Sequence, residues 1–264
     1  MAGAWSRLVT AMRRARSTVR SAAGTAPRVT GYPTSSNRAS SLHLAWQLPA
    51  GTGPIVAASV VLTVEDEPRV RDLYFWALQA SFTDATGTRH GGGHLGLQWY
   101  DPHPGARAAN WGGYGPGGRV LDGSASPLPS ATGNPNTRDL WWEAGEPHTL
   151  RIERAADGWA GTIDGVRLRT LAAGGDRLTG LMVWSEVFAP CDAPPVAVRW
   201  SGFQATTADG RVVAPEAVRV NYQSRADGGC DNTTALPDGD GVRQVTAMNR
   251  AVPQGARLTL RPSR

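Results

Sequence analysis

The chain has 264 residues, with 32 glycines, 19 prolines and a formal charge of +5, and all 27 of its basic residues are arginine. Seven arginines precede the first acidic residue, Glu65, while the other 200 residues carry 20 arginines against 22 carboxylates. The basicity therefore belongs to the front of the chain, which argues against a nucleic-acid-binding main domain, and the absence of a long apolar run argues against a membrane helix.

Residues 1–28 place Trp5, Leu8, Val9, Met12, Ala15 and Val19 at helical spacing with arginines between them. This pattern predicts a short basic amphipathic helix, suited to an anionic membrane surface or a protein partner. The same arginines interrupt any apolar stretch of a secretory signal. A cytoplasmic location is the default expectation, with secretion as the alternative. Exclusive arginine usage reads as a high-GC, bacterial genome. Residues 29–40 are rich in Ser, Thr, Gly and Pro and read as a linker. Residues 41–264 are then expected to form one β-domain.

From residue 41 the apolar period falls from 3.6 to 2. Leu42, Leu44, Trp46 and Leu48 alternate with Ser41, His43, Ala45 and Gln47. Apolar strands follow at 55–64 and 73–82, and Leu95, Leu97 and Trp99 alternate with His94, Gln98 and Tyr100. Asn110 to Gly115 reads as a glycine-rich loop carrying Trp111 and Tyr114. The segment 147–169 contains two turns, at Asp157-Gly158 and Asp164-Gly165, between alternating runs. Asp-Gly is a strong hairpin cue because glycine takes positive φ freely, so this segment predicts a three-stranded meander. A long strand at 178–188 and later ones near 196–206, 217–223, 242–248 and 256–261 complete an antiparallel two-sheet sandwich.

The runs His148–Arg154 and Asp157–Gly165 resemble core hairpins of the concanavalin A-like lectin/glucanase superfamily. Gly93–Gln98 and Trp142–Gly145 are similar to a bacterial family of such sandwiches that has no assigned activity. The resemblance covers about residues 40–205. It implies a jelly-roll fold whose one sheet face binds glycan, and it carries over no catalytic residue.

If the strands at 73–82, 94–100 and 178–188 are neighbours, their non-core faces converge on Gln79, His94, Gln98, Tyr100, Trp184 and Glu186, with Trp111 and Tyr114 at the rim. Aromatic rings beside amides and a carboxylate suit a sugar. The expected function is non-catalytic binding of glycan or another surface ligand. The alternatives are a glycoside hydrolase and a purely structural interaction domain. Hydrolysis needs two carboxylates. Glu186 is a single candidate here, with Glu143 or Asp101 as its conceivable partners, and no catalytic residue is assigned.

No metal-ligating set is assigned. His90 and His94 have i, i+4 spacing but read as the ends of a glycine-rich turn. Asp227, Asp231, Asp238 and Asp240 lie in a loop whose oxygens suit Ca²⁺, without the spacing of a known calcium loop. Cys191 and Cys230 are candidates for one disulfide. Asn232-Thr233-Thr234 is formally a glycosylation sequon, read as fortuitous in a bacterial chain.

Overall fold

A computed structural model describes residues 29–260, so the basic segment 1–28 and its helix lie outside the described residues. Among the described residues the regular structure is strand, apart from two three-residue 3₁₀ turns. The strands are β1 (Ser40–Gln47), β2 (Ile55–Val64), β3 (Tyr74–Thr83), β4 (Arg89–Trp99), β5 (Arg107–Tyr114), β6 (Thr137–Arg138), β7 (Pro147–Ala155) and β8 (Gly158–Ile163). They continue as β9 (Val166–Leu171), β10 (Arg177–Val187), β11 (Ala197–Thr207), β12 (Val212–Val213), β13 (Ala217–Tyr222), β14 (Thr234–Asp238), β15 (Gly241–Val245) and β16 (Arg257–Thr259).

All pairings are antiparallel. One layer runs β16–β13–β1–β10–β3–β4–β5–β6 and the other β9–β8–β7–β2–β11–β15–β14, with β12 on the edge of β11. The layers are continuous through one pairing, Leu178 with Ile55. This is the antiparallel sandwich that the alternating pattern predicts. The meander at 147–171 forms as β7–β8–β9, and Asp164 (φ 50°) and Gly165 (φ 79°) supply the left-handed pair its second turn requires.

The core is built from aromatic contacts between layers. Phe82 of β3 stacks on Trp159 of β8 with ring centroids 5.1 Å apart, and Trp46 of β1 meets Phe203 of β11 edge-on at 5.3 Å. Gln244 is the polar node between them. It accepts from Trp200 Nε1 at 2.8 Å and from the Ser185 hydroxyl, and it donates to the Leu42 carbonyl at 2.8 Å. Each of these groups is buried, so the shared amide removes the cost of leaving them unpaired.

Two expectations are corrected here. Residues 107–114 form a strand, β5, rather than a loop, and Trp111 is fully buried in the core, so it cannot rim a ligand. A Cβ on Gly93 or Gly161 would lie 2.6 Å and 2.7 Å from the Trp111 indole. These glycines make room for a ring between the layers; they do not mark a turn. For the same reason His90 and His94 sit on the continuous strand β4, not on a loop edge.

Candidate sheet-face site

Strand register decides what shares the non-core face of the first layer. Glu186, Phe75 and Gln98 form one row across β10, β3 and β4, with Ser41 of β1 opposite Glu186. The next row is Asn221, His43, Trp184, Ala77, Gly96 and Asn110. The row after it holds Arg219, Ala45, Met182, Gln79, His94 and Gly112. Tyr114 follows, opposite Gly92.

Ring contacts link five strands along this face. His43 meets Trp184 at 6.2 Å, Trp184 meets Phe75 at 4.9 Å, Phe75 meets His94 at 5.6 Å, and His94 meets Tyr114 at 6.2 Å. The middle of the chain is closed from solvent: Trp184 is 5% and Phe75 6% exposed, while Tyr114 at the end is 55% exposed. Trp184 is therefore the floor of the face, and Tyr114 is its open platform. Ala77 and Gly96 beside the floor keep the centre low.

The polar groups stand around this floor. Trp184 Nε1 donates to Gln79 Oε1 at 2.9 Å, which orients the amide and leaves its NH₂ without an acceptor among the described residues. Glu186 Oε1 accepts from Asn37 Nδ2 at 2.8 Å and from Ser41 Oγ at 3.3 Å, and Oε2 accepts nothing among the described residues. Burial raises the Glu186 pKa above the usual carboxylate value, and the Asn37 and Ser41 hydrogen bonds partly offset that shift. Burial lowers the His94 pKa to about 4 and lowers that of His43, so both rings are neutral at pH 7.

Of the residues expected at this site, His94, Gln79, Trp184 and Glu186 come together. Gln98 lies on the same face but is buried, its Oε1 3.2 Å from His103 Nε2. Tyr100 packs edge-on against His103 at 5.3 Å, in the turn that folds over this corner. Trp111 is absent from the face. His43, Ser41, Phe75 and Asn37 join it without having been singled out. The alternation at 41–47 already put Ser41 and His43 on the polar side of their strand. What local pattern lacks is that β1 docks beside β10, more than 130 residues later in the chain.

Glu186 is the one carboxylate at the outward positions of β13, β1, β10, β3, β4 and β5. Asp101 pairs instead with Arg71 at 3.6 Å, and Glu143 accepts from Trp141 Nε1 at 3.4 Å. Cys191 and Cys230 form a disulfide. Asn232 is 1% exposed and donates to the Cys191 carbonyl, so its sequon is sealed inside the fold.

No protein-family model matches the chain, and no curated protein matches it. Among solved structures it is similar to scytalido-glutamic peptidase bound to a peptide-based transition-state analogue, with a TM-score of 0.47 and 10% identity over 78% of this chain and 97% of that one. It is also similar to the κ-carrageenase of Pseudoalteromonas carrageenovora (TM-score 0.34, 11% identity, 83% and 84% coverage). A carbohydrate-binding module from Bacillus subtilis gives a TM-score of 0.30 at 11% identity, over 54% of this chain and 73% of that one. At these overlaps the likenesses assign neither activity nor ligand.

Proposed function

We propose that the non-core face of the first layer binds glycan without cleaving it. One observation carries the reading. Around an apolar aromatic floor stand a carboxylate oxygen, an amide NH₂ and two neutral imidazoles, none with a hydrogen-bond partner among the described residues. Ligand sites characteristically combine apolar lining with a few oriented polar groups. A pyranose offers C–H faces to Tyr114 and hydroxyls to the polar groups.

The Cys191–Cys230 bridge supports an oxidising compartment for this activity, since structural disulfides persist there. The basic segment 1–28 would serve as a tether to an anionic surface or a partner.

A glycan array and a polysaccharide retention gel test the reading. The wild type should be retained by at least one glycan. Tyr114→Ala should weaken retention while leaving the melting temperature nearly unchanged, and Gln79→Ala should weaken it at a cost of about 1–3 kcal/mol, because the buried Trp184 Nε1 loses its acceptor. A wild-type protein that engages no glycan sinks it. Glycoside hydrolysis is the second reading, favoured by the raised pKa of Glu186, which suits a proton donor. It needs a second carboxylate about 5–9.5 Å away, and among the described residues no other carboxylate stands at the outward positions of the strands of this face. Turnover abolished by Glu186→Gln would establish it.

A further inference from the structure

We infer that this face selects uncharged sugars over anionic ones, with Glu186 as the discriminating residue. The inference rests on the glycan-binding reading above. Recognition of a uronate or sulfate draws on arginine, whose fork matches the anion and repays its desolvation. This chain has arginine in abundance, and among the described residues none stands in the Glu186, Trp184 and Met182 rows of β1, β10, β3 and β4.

Elsewhere its carboxylates are regularly met by arginine, as in Glu65 with Arg243, Glu67 with Arg107 and Glu216 with Arg257. Glu186 has no cation against it among the described residues. The groups facing it are neutral: Asn37 from the entering segment, Ser41 and His43 from β1, and Phe75 from β3. Gln98 of β4, farther along the same row, is neutral too, as is its partner His103, whose pKa burial lowers.

The described cations that border the face include Arg38, exposed next to Asn37 in the entering segment, and two at its margins. Arg219 is exposed on β13, two rows from Glu186 and two strands over. Arg89 reaches back beside Gly92, where a Cβ would lie 3.2 Å from its Nη2. Gly92, which stands opposite Tyr114, is six residues along β4 from the Glu186 row, or about 20 Å at the rise of a strand, so one sugar cannot touch both residues and a polymer stacked on Tyr114 meets Glu186 with a unit several sugars away. Among the described strand residues the centre therefore carries a charge of zero or −1. An anionic sugar seated there gains no partner and meets Glu186 as a like charge. A neutral sugar finds an acceptor in Oε2 and a donor in the Gln79 amide.

The test uses the full chain at pH 7 in about 0.15 M salt, where charges more than about 8 Å apart are screened. Matched polymers serve as probes: hydroxyethyl-cellulose with carboxymethyl-cellulose, dextran with dextran sulfate, and agarose with carrageenan. Because the N-terminal arginines attract any polyanion, only retention lost on Tyr114→Ala is assigned to the face. The expected result is Tyr114-dependent retention of a neutral polymer, about tenfold or more above that of its anionic mate, as like-charge contacts at an interface impose. Glu186→Gln should shrink that gap severalfold. Tyr114-dependent retention of the anionic mate at equal or greater strength overturns the inference and leaves the glycan reading standing. So does a gap that Glu186→Gln does not change. If no polymer of either kind depends on Tyr114, both fall.

Discussion

Asn37 Nδ2 donates to Glu186 Oε1 at 2.8 Å across 149 positions of sequence, and the orientation of that amide is fixed from its other end. Asn37 Oδ1 accepts from Ser35 Oγ at 2.9 Å and from the Ala39 amide at 3.2 Å, so the NH₂ is the end left for Glu186. A donor to a carboxylate favours its charged form. Asn37→Ala should therefore raise the already elevated Glu186 pKa, and Asn37→Asp, which sets a like charge against it, should raise it further. Carboxyl-carbon NMR titration measures both, and a Glu186 pKa that falls in either variant refutes the arrangement. The consequence for stability has a definite sign. Below the unfolded-state pKa, Glu186 is protonated in both states and burial costs nothing as charge. Above the raised folded-state pKa the full penalty applies. Glu186→Gln should thus be close to neutral at pH 4 and should gain on the wild type in thermal melts as pH rises to 7.

The same entering segment hangs on the two loops that the disulfide joins. The Cys191 amide donates to the Gly31 carbonyl at 2.7 Å, the Gly31 amide to Asp192 Oδ1 at 3.0 Å, and the Thr34 amide to the Gly228 carbonyl at 2.9 Å. Gly228 has φ 80°, and a Cβ there would stand 2.2 Å from the Ser35 nitrogen, so the approach depends on glycine. The bridge closes a sequence separation of 39 residues. On loop entropy, opening it with Cys191→Ser/Cys230→Ser should cost about 4 kcal/mol. Hydrogen exchange of residues 31–39 should accelerate along with global destabilisation. Unchanged protection of that segment would show that it holds its place without the bridge.

How much of this was readable from sequence follows from which interactions are local. The meander at 147–171 was legible because each turn carries its own signal, Asp164-Gly165 above all. The polar face of β10 was legible because Trp184 and Glu186 alternate with Val183 and Val187. Trp111 was not legible. Three consecutive glycines before His94 and two more at 112–113 look like loop, and their purpose appears only when Gly93 and Gly161 are seen on either side of one indole. Asn37 was equally hidden, since its partner lies on a strand more than a hundred residues away. Sequence period reports a residue's side of its own strand. It does not report which strand lies alongside.

Trp111 and Tyr114, three residues apart on β5, should separate stability from binding. Trp111 is fully buried and donates from Nε1 to the Trp159 carbonyl at 3.2 Å. Trp111→Ala should cost about 3–5 kcal/mol, since it empties a core site lined by backbone that cannot collapse. Tyr114→Ala removes an exposed ring and should change stability by no more than about 0.5 kcal/mol. Urea denaturation checks both. Equal losses would mean that β5 does not alternate as described.

The aspartates at 227–240 bear on calcium. Arg199 Nε meets Asp238 Oδ2 at 3.2 Å and its Nη2 reaches Asp240, while Asp231 lies 3.6 Å from Arg225 and Asp227 accepts from Ser224 Oγ at 2.6 Å. These carboxylates are engaged by different partners and do not converge, and no cluster of metal-ligating side chains occurs among the described residues. EDTA and added Ca²⁺ should both leave the melting temperature in place. A rise of several degrees with millimolar Ca²⁺, as tight binding to the folded state requires, would reveal a calcium site.

His94 should make the fold acid-sensitive well above the range in which carboxylates titrate. Burial lowers its pKa from 6.5 to about 4, and lowers those of His43 and His103. Above pH 6.5 each ring is neutral whether folded or unfolded, and stability is at its full value. As pH falls below 6.5 the unfolded chain takes up protons that the folded chain resists, so stability declines until about pH 4, where folded His94 also protonates. His94→Gln keeps a neutral polar side chain on the face and removes one of the three titrations. Its melting temperature should fall less steeply than that of the wild type between pH 6.5 and 4, with the two curves parallel above pH 7. Parallel curves throughout would mean that the ring sits in water and takes its proton as freely in the fold as outside it.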